Sequence, residues 1–284
     1  MTCCPGSKAM PSAAGPDATR AAGSVQYVGV STKMYLGYRE SLRWLKELRE
    51  EIDARPALHA GRVVPFVIPS FPVLPAAAEI LAGSPAVLGA QNCGWSDGAW
   101  TGEVSPGMLA ELNVRFVEIG HAERRKHFGE DAAMIARKVR AADGEGVVPL
   151  LCVGEERHSD ADEAAQDLFG QISSAVDNNW ALAARIVIAY EPVWAIGAAE
   201  PAAAQHVCAV AALLRQHLAG AGLEHASIIY GGSAKPGLLP QLVGVDGLFL
   251  GRFAHRAANF GTVLDEALGR ADSMVPSVPH HKIS

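Results

Sequence analysis

The run Ile186-Val187-Ile188-Ala189-Tyr190 is apolar throughout and stops on Glu191-Pro192-Val193-Trp194-Ala195-Ile196-Gly197. No polar residue alternates with the apolar ones, the pattern of a strand covered on both faces, as in a parallel sheet flanked by helices. Outward from it the same unit recurs. Near-continuous apolar runs at 27–30, 63–68, 87–90, 116–119, 148–153, 227–230 and 247–250 bring the strands to eight. Amphipathic segments lie between them: residues 38–53 place Leu42, Leu45, Leu48 and Ile52 at helical spacing, Ser105-Pro106 reads as an N-cap followed by proline at the first helical position, and 203–218 is rich in alanine and leucine. Strict β-α alternation implies a parallel sheet. Eight units without a linker favour closure into a (β/α)8 barrel, an α/β TIM barrel, over two doubly wound halves.

Composition narrows the function. Of the 284 residues 49% are hydrophobic and 19% charged, enough to bury a large core and far from the signature of disorder. The net charge of −6, with no dense run of Lys and Arg, argues against nucleic acid as a partner. The five cysteines are scattered and stand apart from histidines at zinc spacing, so neither a disulfide framework nor a metal site is expected, and a reducing, cytoplasmic setting is. The most apolar stretch, 63–78, is interrupted by Pro65, Pro69, Pro72 and Pro75, so no membrane-spanning helix is expected. Residues 1–24 read as a disordered leader, 25–272 as one barrel domain and 273–284, with His280-His281, as a flexible tail.

In a barrel of this kind, reactive groups sit at the C-terminal ends of the strands. After the first strand come Ser31-Thr32-Lys33, after the fourth Gly120-His121-Ala122-Glu123-Arg124-Arg125, and after the sixth Glu191. Gly231-Gly232-Ser233 follow the seventh and Gly251-Arg252 the eighth. Singly, Lys33 is a solvated loop cation, His121 a loop histidine and Glu191 a helix-start carboxylate. Five such features on one face are harder to explain as decoration. A carboxylate base, a neutral donor and a fixed ammonium suit removal of a proton next to a carbonyl, with stabilisation of the enediolate oxygen. Glu191 would take the proton, and Lys33 would act electrostatically. His121, at the start of a helical turn, would be kept neutral by the backbone N–H dipoles. The glycine turns at 231–233 and 251 would offer N–H groups to a phosphate.

These residues sit in longer strings: Gly89-Ala90-Gln91-Asn92-Cys93, Thr101-Gly102-Glu103-Val104-Ser105-Pro106, 120–125 as above, Cys152-Val153-Gly154-Glu155, 189–197, and Ile229-Tyr230-Gly231-Gly232-Ser233. In these strings and their order, over about residues 26–270, the chain resembles the triosephosphate isomerases. The resemblance implies Glu191 as base, His121 as neutral electrophilic donor and Lys33 as cation beneath a water-excluding lid at 192–200, as that family is known to work. It further implies Gly197, Gly232, Ser233 and Gly251 as phosphate ligands, with Glu123 and Cys152 in support. Ser31 and Arg252 are read as substrate-binding positions from their place at the mouth, Arg252 either gripping the phosphate, shifting it so that with Ser31 an extra hydroxymethyl group fits, or lying solvated on the rim. No cofactor is expected. The Gly- and Trp-rich loop 91–103 implies a homodimer, with Thr101, Glu103 and Arg124 near the interface.

The departures cluster at the mouth. The family usually has Asn-Trp-Lys-Met-Asn where this chain has Ser31-Thr32-Lys33-Met34-Tyr35. It has Ser at Ala122, Gly-Thr-Gly-Lys at Gly197-Ala198-Ala199-Glu200, and Gly-Gly at Gly251-Arg252. An aldose–ketose isomerase of a small phosphorylated sugar is therefore expected. Dihydroxyacetone phosphate/glyceraldehyde 3-phosphate stands first as substrate, a tetrulose phosphate is the alternative, and a barrel that only binds a metabolite comes last.

Overall fold

A computed structural model describes residues 25–197 and 202–274. Residues 1–24, the end of the expected lid at 198–200 with Pro201, and the His280-His281 pair fall outside the described residues. Eight parallel strands close into a barrel in sequence order: β1 (Gln26–Ser31), β2 (Val63–Ile68), β3 (Val87–Ala90), β4 (Phe116–Ile119), β5 (Val148–Val153), β6 (Val187–Tyr190), β7 (Ser227–Tyr230) and β8 (Gly247–Leu250). The closing pair is β1 with β8, Val28 lying opposite Leu248. The expected barrel is thus borne out. β1 gains one residue at each end over the apolar run, and β6 loses Ile186, which is buried just before pairing begins.

Helices on the outside carry the chain back between strands: α1 (Tyr38–Asp53), α2 (Leu74–Leu81), α3 (Pro106–Glu111), α4 (Ala122–Phe128), α5 (Ala132–Gly144), α6 (Ala161–Ala175), α7 (Trp180–Ala183), α8 (Ala204–Gly220) and α9 (Ala257–Ser273). α1 buries Leu45, Leu48 and Ile52 on one stripe, as its spacing requires, and Ser105 caps α3 by accepting from the Met108 N–H. Between β7 and β8 the crossover helix is reduced to a 3-10 turn at Leu239–Gln241, so this corner is a loop.

Because both faces of each strand are covered, two cores form. One lies between sheet and helices. The other fills the barrel, with Tyr27, Phe66, Phe116, Leu150, Val187, Ile229 and Phe249 packed across the axis. Phe66 takes the room left by Gly29, where a Cβ would stand 1.8 Å from the ring. This aromatic plug closes the bottom of the barrel, so any ligand must enter from the C-terminal ends of the strands.

Candidate active site

A cavity of about 640 Å³ opens at that end, lined among others by Ser31, Lys33, Glu118, His121, Glu123, Glu191, Gly197, Ser233, Gly251 and Arg252. The structure therefore gathers nearly all the residues singled out above at one place. Gly232 and Cys152 are buried beneath it, and the Cys152 thiol is raised well above its ordinary pKa, first by burial and then by the Glu191 and Glu118 charges.

Lys33 stands just past β1 in a left-handed conformation, φ 47°, which costs a residue with a side chain of order 1 kcal/mol. Its carbonyl is pinned by the Ser70 hydroxyl and the Gln91 amide, both donating at 2.7 Å, and this holds the strained turn. The ammonium donates to Glu123 Oε1 at 2.6 Å. Burial works against that charge, but Glu123, Glu191 and Glu118 outweigh it and hold the pKa above its ordinary value, so Lys33 stays protonated. Glu123 in turn is kept below the usual carboxylate range: burial opposes its charge and Lys33 prevails.

His121 caps α4, its Nδ1 accepting from the Glu123 N–H at 3.1 Å. That contact puts the proton on Nε2, which faces Glu191 Oε2 at 3.3 Å. The pKa is lowered to about 4, so the ring is neutral at ordinary pH. The cause differs from the expected one. Burial dominates and the Lys33 charge follows, while the helix start serves to orient the ring.

Glu191 is buried at the end of β6, with its N–H donating to the Val153 carbonyl and its carboxylate extending under the cavity. Gly231 makes room for it, since a Cβ there would lie 2.4 Å from Oε1. Burial, then the neighbouring Glu118 charge, push its pKa up to about 8 against the pull of Lys33. A carboxyl poised near neutrality, next to a neutral histidine and a fixed cation, can take up and return a proton on carbon.

The other side of the cavity is built of turns. Ser233 is left-handed at φ 44°, and its hydroxyl donates to the Ala195 carbonyl in the segment after Glu191. Gly197 is left-handed at φ 72°. The segment after Glu191 is tied to the turn that follows β5 through Trp194 Nε1, which donates to Glu155 Oε1 at 2.8 Å. Arg252 lies exposed at the rim, its guanidinium 5.6 Å from the centre of the Tyr35 ring. Lys235, which the sequence reading passed over, adds a second cation at this rim. Glu118, also passed over, lies on the cavity floor.

Loop 91–103 folds partly on itself. Trp95 and Trp100 meet edge to face at 4.8 Å, and Arg137 lies over Trp95 at 4.4 Å. Trp100 and Phe128 remain largely exposed, and a second cavity of about 410 Å³ opens between Trp100, Thr101, Glu103, Arg124 and Phe128. Among the described residues no helix is long and apolar enough to cross a membrane, and no group of three or more His, Cys, Asp or Glu is placed to hold a metal.

Comparison with known proteins agrees with this architecture. The family model described as triosephosphate isomerase matches residues 26–267. A protein of Pectobacterium atrosepticum named L-erythrulose-1-phosphate isomerase is 46% identical over 245 residues, covering 84% of this chain and 95% of that one. A triosephosphate isomerase of a Synechococcus strain is 39% identical over 238 residues, covering 82% and 93%. Among solved structures, triosephosphate isomerase from Bartonella henselae superposes with a TM-score of 0.72 at 29% identity, over 86% of this chain and 99% of its own. With a matching model over nearly the whole barrel and relatives of this identity, the chain belongs to the triosephosphate isomerase family.

Proposed function

We propose that this protein isomerises a tetrulose phosphate, taking L-erythrulose 1-phosphate through an enediolate with Glu191 as base. The observation that carries the chemistry is the buried pair Glu191 and His121, 3.3 Å apart with the carboxyl raised and the imidazole neutral. The choice of sugar is supported by the relative at 46% identity and by the altered mouth: Ser31, Tyr35 and Arg252. Sequence reasoning alone places triose phosphate first, and the retained Lys, His and Glu together with the Synechococcus relative keep it as the second reading.

The phosphate of the substrate would lie against the turns at Gly197, Gly232-Ser233 and Gly251, with Arg252 and Lys235 at the rim. Glu191 takes the proton from C3, and the electron pair moves into the C2 carbonyl, whose oxygen becomes anionic. His121 Nε2–H and the Lys33 ammonium stabilise that charge. His121 then passes a proton between the two enediol oxygens, and protonated Glu191 returns its proton to C2 while the carbonyl forms at C3. With dihydroxyacetone phosphate the carbon losing the proton is terminal and the product is an aldose. With a tetrulose 1-phosphate that carbon bears a further hydroxymethyl group, so the same shift yields another ketose, the tetrulose 4-phosphate.

The test is to assay both substrates side by side. The kcat/KM on L-erythrulose 1-phosphate is expected to exceed that on dihydroxyacetone phosphate at least tenfold, and the opposite ratio would return the chain to a triose phosphate isomerase. Arg252→Gly is expected to move the ratio toward the triose about fivefold, because a rim guanidinium that engages the phosphate in place of a backbone N–H shifts it and, with the small Ser31, leaves room for a hydroxymethyl group that only the tetrulose carries. An unchanged ratio would make Arg252 incidental to substrate choice.

We further propose a homodimer formed through loop 91–103, with its exposed Trp100 and the cavity beside Arg124 and Phe128 as the contact. Two-fold dimers are the commonest oligomer. Sedimentation at micromolar concentration is expected to give twice the chain mass, and Trp100→Glu to give a monomer. A fully active monomeric parent would contradict this. The cytoplasm is the proposed location.

A further inference from the structure

Glu118 is a carboxylate where the barrel otherwise packs apolar side chains. It follows Phe116 on the inward face of β4, is 4% exposed and lies on the floor of the cavity. Its Oε2 has no hydrogen-bond partner, and Oε1 stands 3.9 Å from His121 Nε2, too far to bond. Across the floor Ser31, 3% exposed, turns its hydroxyl toward the same carboxyl, yet that oxygen too meets no partner in hydrogen-bond geometry. The two lie close enough to interact but are poorly aligned, and Glu118 Oε2 has no partner at all; a buried polar pair this poorly satisfied is costly unless a ligand completes it.

Their position says which part of a ligand. In a closed ring of eight strands β4 lies diametrically across from β8, whose end carries Gly251 at the phosphate corner. A sugar phosphate anchored at the β7 and β8 turns, with its reacting carbons between Lys33, His121 and Glu191, directs its unphosphorylated end toward β4. Ser31 is also smaller than the asparagine usual at this place in the family, which leaves volume beside Glu118. A three-carbon substrate ends at the reacting carbon and has nothing to put there, whereas a four-carbon one has a hydroxymethyl group.

We propose that Glu118 and Ser31 form the subsite that receives the terminal hydroxyl of a four-carbon ketose phosphate, and so select it over a three-carbon one. The inference rests on the proposed tetrulose reading and names the residues behind it. The hydroxyl donates to Glu118 and accepts from Ser31 Oγ. Burial pushes the Glu118 carboxyl up to about 7, and in either protonation state it retains an oxygen able to accept this bond.

The experiment compares L-erythrulose 1-phosphate with its 4-deoxy analogue, which keeps the carbon skeleton and lacks only that hydroxyl. The parent is expected to prefer the hydroxylated sugar by about 10- to 100-fold in kcat/KM, the range of a hydrogen bond to a charged or buried partner. Glu118→Leu is expected to bring that preference below about threefold. Ser31→Ala, which leaves the floor filled if the leucine variant fails to fold, is expected to cut it at least threefold, whereas the isosteric Glu118→Gln, which keeps an accepting oxygen, is expected to retain most of it. Because the readout is a ratio on one skeleton, an effect of Glu118 on the Glu191 pKa cancels. A parent that treats both sugars alike, or leucine and alanine variants that slow both in equal proportion, overturns this inference and leaves the tetrulose reading standing. A parent active on dihydroxyacetone phosphate and inactive on L-erythrulose 1-phosphate overturns both.

Discussion

Glu191→Gln is expected to lower kcat by about 10³ to 10⁴, the upper part of what a positioned general base contributes, while Glu191→Asp, which withdraws the carboxylate by one methylene, costs on the order of 10². The side chain is buried, its Oε2 faces the His121 ring at 3.3 Å, and its space is given by Gly231, so nothing about it serves helix capping or packing. A purely structural Glu191 predicts the reverse of what is expected for stability. Its pKa in the fold is raised from 4.5 to about 8. Between those values the unfolded chain has released the proton and the folded chain still holds it. The fold therefore loses stability as pH rises through this window and is relieved of the penalty when the carboxyl is removed. Glu191→Gln is thus expected to melt higher than the parent at pH 8 while nearly inactive. A melting temperature that falls together with activity would mark Glu191 as structural. Since a protonated carboxyl cannot accept a proton from carbon, the parent's kcat/KM is expected to fall on the acid side of about pH 8 in the free enzyme. Glu118→Gln, which removes the neighbouring negative charge, moves that limb to lower pH.

The strands were legible because a barrel buries both faces of each one, which writes itself as unbroken apolar runs, and Lys33, His121 and Glu191 were legible because they interrupt those runs at one end. The same physics hid Glu118. Where both faces are buried, a period of two carries no sign of which residues point into the barrel, so a carboxylate within 116–119 reads as one polar residue in a strand. Ser70 and Gln91 were hidden for another reason. They act on Lys33 from 37 and 58 positions away, and only the parallel pairing of β1 with β2 and of β2 with β3 brings them to it. The cause of the histidine's low pKa was misplaced for a related reason: the helix start is local and visible, whereas burial and the nearness of Lys33 arise only in the folded barrel. The 3-10 turn in place of a helix after β7 has no clear breaker signal beyond Gly231-Gly232 and the proline-bearing stretch around Pro236 and Pro240.

Lys33→Met is the second large effect, expected to lower kcat/KM by about 10² to 10³ through loss of a preorganised charge aimed at the developing oxyanion. The competing account is that Lys33 matters only through its 2.6 Å ion pair with Glu123. That pair is partly solvated at the Glu123 end, where such bridges contribute little. Glu123→Gln separates the two accounts, because it breaks the ion pair and leaves the ammonium in place. If Lys33 acts on the substrate, Glu123→Gln is expected to cost less than about tenfold and Lys33→Met far more. If the pair is what counts, the two variants fall together. The backbone points the same way. A lysine held at φ 47° by Ser70 and Gln91 carries strain that a glycine would not. That strain is accounted for by what only the ammonium supplies, a positive charge fixed beside three carboxylates and facing the cavity where a fourth anion, the enediolate, has to form.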